Sequence, residues 1–258
     1  GGDMTFRVVL SLGLFVAIFQ PLSLFAHEKE SRVAIESDFT APVQAGLVQY
    51  FFELVDTKTN KVLSDADLNV THERKLHLLA YDPALKEFQH VHPEFDGRYW
   101  RADLNFSVDG EYWLWAQGEL GGDGEEFSAS TRLKVQGGQN AWPTPPQLSD
   151  LRVGEDSNSV ATLDGQRLRA GQMAMLNLSF SRKDGSAPML SPYLGAFAHV
   201  VAVFDDSDTL IHVHPMSTGN PNQGMLHVTF PGAGFYRLWV QFIDNGNLKT
   251  VPLSVQVF

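Results

Sequence analysis

Residues 75–93 read KLHLLAYDPALKEFQHVHP, and residues 197–215 read FAHVVAVFDDSDTLIHVHP. Each sets a turn signal between two short apolar runs: Asp82-Pro83 in the first, the DDSD cluster at 205–208 in the second. That is the pattern of a β-hairpin. Side chains alternate between the faces of a strand, so His90 and His92 share a side. A turn near Pro83-Ala84 brings His77 across from His90, where the Cβ atoms of facing residues lie roughly 4.5–5.5 Å apart. Three imidazoles, His77, His90 and His92, are therefore expected to converge on one patch. The same construction gathers His199, His212 and His214.

The two hairpins belong to a longer repeat. Both halves carry H-x12-H-x-H-P, and downstream DGEYWLWAQ (109–117) matches AGFYRLWVQ (233–241). Upstream, AGLVQYFFEL matches AGQMAMLNLSF around Gly46 and Gly171. Between the copies, residues 136–150 (QGGQNAWPTPPQLSD) are rich in Gly and Pro and have no apolar period, as in a linker. The remaining segments are short, rich in Val, Phe, Tyr, Trp and Leu, and bounded by turn residues. No sustained helical period appears. The expected fold is all-β: two tandem immunoglobulin-like antiparallel β-sandwich domains, over 27–135 and 151–258, behind an N-terminal signal peptide. The cysteine pair of true immunoglobulin domains is absent, so the likeness is one of architecture.

Composition narrows the function. The 258 residues are 43% hydrophobic, enough for packed cores, and the formal net charge is −11. That charge excludes a nucleic-acid partner and disfavours anionic lipid. Residues 1–26 have the layout of a signal peptide: Arg7, a long apolar stretch, then Ala26 ahead of HEKES, although Leu24 is bulky for a cleavage site. A periplasmic or secreted protein follows, with no membrane insertion after cleavage. Uncleaved, residues 8–26 would nearly span a bilayer. The chain has no cysteine, which removes disulfides, cysteine lipid anchors and thiolate metal sites.

Clustered neutral imidazoles suit a transition metal, whereas three charged ones at close range would repel. Copper is expected first and zinc second. A rival role exists. Val91, Ile211 and Val213 alternate with the histidines and take the core face, so the imidazoles point outward and could instead join the two domains. Asp103 and His227 occupy matching positions but are expected to face solvent. Glu94 and Met216 each follow a His-Pro pair, the first suited to a harder ion and the second to Cu(I). His72 has no counterpart in the other repeat and reads as an exposed loop residue. His27 would become the mature N-terminus and could chelate copper through its amine and ring. Trp113 and Trp115 could form a carbohydrate platform, but a core role is the better reading.

The block HLLAYDPALKEFQHVHPEFDGRYW followed by GEYWLWAQ resembles bacterial exported β-sandwich domains of the YtkA-like kind, with an H-x-H-P strand and a downstream G-x-Y strand. The likeness covers residues 70–117 and, more loosely, 195–242. It implies a copper-handling or metal-export setting. The leading expectation is an exported, non-enzymatic metal-binding protein that uses the six repeat histidines, with a metal ion and another exported metal-handling protein as partners. The alternative is an adhesion, scaffold or interaction module whose histidines are structural or join the domains. No G-x-S-x-G, nucleotide-binding glycine pattern or H-E-x-x-H is present, so no enzyme is expected.

Overall fold

Strict alternation builds most of the strands. In Gly110–Leu120 and Glu126–Gln136 nearly every second residue is buried, and Trp100–Phe106 repeats the pattern. Such strands bury one face and expose the other, which makes two facing sheets the stable arrangement. The structure, a computed structural model, describes residues 31–258 apart from His214. The expected signal peptide, His27 and His214 lie outside the described residues.

In the first half, one sheet runs in the order Val33–Glu36, Gly46–Asp56, Trp100–Phe106, Glu94–Phe95. Facing it is a sheet ordered Val43–Gln44, Glu126–Gln136, Gly110–Leu120, His77–Tyr81, Phe88–Val91. The second half repeats this. One sheet orders Val153–Asp156, Ser159–Leu163, Met173–Arg182, Gln223–Thr229 and Pro215–Ser217. The other sets Gly234–Asp244 between Asn247–Val257 and His199–Phe204, with Leu210–Val213 outermost. These are the two strand sets of an immunoglobulin-like sandwich. The ladders are antiparallel, except that Val43–Gln44 runs parallel to Glu126–Gln136.

Each sandwich holds its own core. Tyr50, Phe52, Trp100, Phe106, Tyr112 and Leu114 fill the first; Leu176, Phe230, Tyr236, Leu238 and Phe242 fill the second. The G-x-Y motif explains itself here. Gly110 and Gly234 start their strands at φ of 141° and 135°, a region L side chains rarely adopt. Two residues on, the Tyr112 hydroxyl donates to the Val108 carbonyl (3.3 Å) and the Tyr236 hydroxyl to that of Gly232 (2.9 Å). Both are tyrosine corners of the kind that pin this fold.

A third core lies between the sandwiches. His77–Tyr81 and His199–Phe204 do not alternate; they are buried on both faces almost throughout. One face joins each sandwich's own core. The other presents Leu79, Tyr81, Val201 and Val203, which close over Leu85 and Trp239. Phe88 stacks on Trp239 at 4.7 Å between ring centroids. The hairpin turns meet as well: the Tyr81 hydroxyl donates to the Ser207 carbonyl (2.7 Å), and the Ser207 hydroxyl to the Pro83 carbonyl (2.9 Å). Trp113 and Trp115 pack against this interface, and the Trp115 indole donates to Tyr81. Their core role is therefore real, but it belongs to the contact between domains.

Candidate metal centre

The histidines sit at one end of this interface. The hairpin register differs from the expected one by two residues: Leu79, in place of His77, faces His90, and Leu78 faces Val91. The turn is longer than a tight hairpin, because Asp82 accepts backbone N–H groups from Ala84, Lys86 and Glu87 and so holds a wider loop. Val201 likewise faces His212. The face assignment survives the shift. Val91, Ile211 and Val213 turn to the cores, and the imidazoles turn to the other sandwich.

His77, His90 and His92 each offer a ring nitrogen within 4.8 Å of the others. Their hydrogen bonds set the ring tautomers. His77 Nε2 lies 2.8 Å from the Thr71 carbonyl, which can only accept, so Nε2 carries the proton. His90 Nδ1 lies 2.9 Å from Gln241 Oε1, while Gln241 Nε2 donates to Thr250 Oγ1. With the Gln241 amide in this orientation His90 Nδ1 carries the proton; with the amide turned over, Thr250 Oγ1 donates to Gln241 and His90 Nε2 carries it instead. The remaining nitrogens, His77 Nδ1 and His90 Nε2, face each other at 3.1 Å. In the first of these tautomers both are lone pairs; in the second His90 Nε2–H donates to His77 Nδ1. His92 Nε2 is buried beside them without a hydrogen-bond partner.

The rings are held neutral. Burial pushes His90 down to about 3, offset in part by the Gln241 bond and reinforced by His92, His77 and His199. Burial also lowers His92, to about 4, with His77, Arg74 and His199 adding to the effect. His77 is lowered mainly by burial.

The second sandwich mirrors this construction across the interface. His199 Nε2 donates to the Tyr193 carbonyl (2.8 Å), as His77 does to Thr71. His212 Nδ1 hydrogen-bonds with the Gln117 side-chain amide (3.1 Å), which also bonds to Ser128 Oγ. Thus His90 is oriented by a glutamine of the second sandwich and His212 by the matching glutamine of the first. Thr71 and Tyr193 open equivalent turns, in which His72-Glu73 and Leu194-Gly195 all have positive φ. That is the type I′ geometry of two-residue hairpin loops.

The turn also carries the residue that sequence reasoning misplaced. His72 is half-buried rather than exposed, and its ring centroid lies 5.2 Å from His199, 6.1 Å from His77 and 6.3 Å from His212. His90 and His199 are 6.4 Å apart. His72, His77, His90, His92, His199 and His212 thus form one contiguous cluster. An open cavity of about 440 Å³ reaches it from solvent, walled by His72, His77, His212, Gln117 and Glu126 among others. Gln117 and Gln241 went unnoticed in the sequence, although both close the repeated strand motifs. Asp103 and His227 are exposed, as expected, and so are Glu94 and Met216.

A pair of immunoglobulin-like sandwiches joined at a histidine-lined interface is thus the class defined by fold and site. The chain belongs to the family of a domain of unknown function, DUF8832, whose model matches residues 28–137 and 154–258. No curated protein matches it. Among solved structures, the fibronectin(III)-like modules of Clostridium thermocellum CbhA are similar at 14% identity, covering 88% of this chain and 93% of that one, with a TM-score of 0.24. The Yersinia pseudotuberculosis adhesin InvE is similar at 15% identity, covering 87% and 58%, with a TM-score of 0.23. A titin fragment, A168169, is similar at 11% identity, covering 89% and 97%, with a TM-score of 0.20.

Proposed function

We propose that this is an exported, non-enzymatic transition-metal-binding protein, with copper the first candidate and zinc the second, held at the interface between its sandwiches. The observation that carries the reading is the convergence of three ring nitrogens, with His77 Nδ1 and His90 Nε2 3.1 Å apart and His92 Nε2 buried alongside. With His90 protonated on Nδ1 the two lone pairs repel unless a cation lies between them, and burial disfavours the additional proton that would charge a ring. Nitrogen ligands around a tetrahedral ion at about 2.0–2.1 Å stand roughly 3.3–3.4 Å apart. Metal-binding histidines characteristically donate the far ring N–H to a fixed acceptor, the part taken here by Thr71 and Gln241. His77, His90 and His92 would be the primary ligands. His199 and His212 would contribute from the facing sandwich, and His214, outside the described residues, stays a candidate from the sequence repeat alone. The YtkA-like resemblance and the absence of thiolates favour copper held by imidazole.

The test is metal content by elemental analysis of protein exported in metal-replete cells, beside a His90→Ala/His212→Ala variant. About one equivalent of copper or zinc in the wild type, lost in the variant, is expected. An empty wild type that ignores added copper and zinc would reject the reading.

One set of contacts favours a second reading. The crossed bonds His90–Gln241 and His212–Gln117 clasp the sandwiches without any metal. In that case the cluster is an interdomain joint of an adhesion or scaffold module, and full stability after chelation would support it.

A further inference from the structure

Methionine is unevenly distributed along the chain. Residues 31–172 contain none, whereas Met173, Met175, Met189, Met216 and Met225 all fall in the second half. Methionine is among the most buried residue types, yet Met175 is 49% and Met216 52% exposed. Both lie on the outer face of one sheet of the second sandwich, because Ala174, Leu176, Leu226 and Val228 take the inner face.

The register gathers them. Met175 stands opposite His227, and Met216 opposite Met225. Met225 and His227 are two residues apart on one strand and share a face, about 6.8 Å from each other. The four positions are the corners of one patch, within reach of flexible thioethers. This patch lies on the side of the sandwich away from the histidine interface.

The first sandwich supplies an internal comparison. At the equivalent pairs, Gln49 stands opposite Asp103 and Glu94 opposite Arg101. There Arg101 is paired with Asp96 and lies over the rings of Phe51 and Tyr99, so the face is ionic and aromatic and carries no thioether. All four hard or charged groups are thus replaced in the second sandwich by three thioethers and an imidazole. An exposed face needs only polar groups to be soluble, so this exchange calls for another cause. Thioether and imidazole are the donors that select soft ions.

We propose that Met175, Met216, Met225 and His227 form a surface site for a soft monovalent cation, Cu(I). The site is independent of the interdomain histidines and does not rest on their metal reading. Binding is by lone-pair donation alone, with no change of oxidation state.

The test uses Ag(I) as a redox-inert probe of the full chain labelled with ¹³C-methyl methionine, in chloride-free buffer. The methyl resonances of Met175, Met216 and Met225 should shift together and saturate near one equivalent at micromolar protein. Met189, 57% exposed but elsewhere, is the control and should not move. Met225→Leu, a volume-conserving change, should weaken the response of Met175 and Met216 by about tenfold or more. Loss in a His90→Asn/His92→Asn background would tie the effect to the interface and overturn the proposal. So would Met189 shifting in parallel, saturation only at millimolar Ag(I), or an unchanged response in Met225→Leu.

Discussion

Acidifying the metal-free protein should destabilise it well before its carboxylates titrate. His90 and His92 are held neutral in the fold, near 3 and 4, by burial. In an unfolded chain they titrate near 6.5. Below pH 6.5 the unfolded state therefore binds protons that the folded state refuses, and stability falls as pH falls. The stabilisation is complete above pH 6.5 and is lost progressively toward pH 3–4. At pH 5 the unfolded histidines lie 1.5 units below their own titration point, which costs about 2 kcal/mol each at 1.36 kcal/mol per unit, or about 4 kcal/mol for the pair. His77, lowered in the same direction, adds to this. The charged groups that lower the pair are His77, His199 and Arg74, all basic, while Glu94, Asp96 and Asp103 line a pocket together with His92. Urea unfolding at pH 8 and pH 5, in the presence of a chelator, measures the difference. A His90→Asn/His92→Asn variant, less stable at pH 8, should lose far less between the two. Equal stability of the wild type at both pH values would refute the claim that these rings are buried and neutral.

Other consequences follow from single contacts. Gln241→Ala leaves the buried His90 Nδ1 without its hydrogen-bond partner and should cost about 1–3 kcal/mol in urea unfolding. Tyr81→Phe removes one bond from Trp115 and one to Ser207 while keeping the ring, so a loss of about 1–2 kcal/mol and a shift in tryptophan emission are expected. Trp239→Ala opens the interdomain core beneath Phe88 and should cost about 3–5 kcal/mol by calorimetry. Asp244, held well below the usual carboxylate range first by its bond to Arg182, should make Asp244→Asn destabilising at pH 7 but less so as pH falls below about 4.

Alternation and turn chemistry made the sandwiches legible from sequence, and the paired G-x-Y and H-x-H-P motifs made the repeat legible. The joint between the sandwiches was less so. Its signal lay in LHLLAY and HVVAVF, runs that fail to alternate because a second sandwich covers the face that would otherwise meet water. The clustering of His77, His90 and His92 followed from strand geometry. The two-residue register shift did not, because Asp82 holds a loop whose length depends on its own hydrogen bonds. His72 was misplaced because a turn residue's burial depends on what packs against it from another domain. Gln117 and Gln241 were hidden for the same reason: each orients a histidine more than 90 residues away.

The most direct measurement for the central claim is anomalous diffraction at the copper edge from crystals of copper-loaded protein. The account predicts a peak between His77 Nδ1, His90 Nε2 and His92 Nε2, about 2 Å from each. A map with no peak at the interface, or with copper bound only elsewhere, would contradict it.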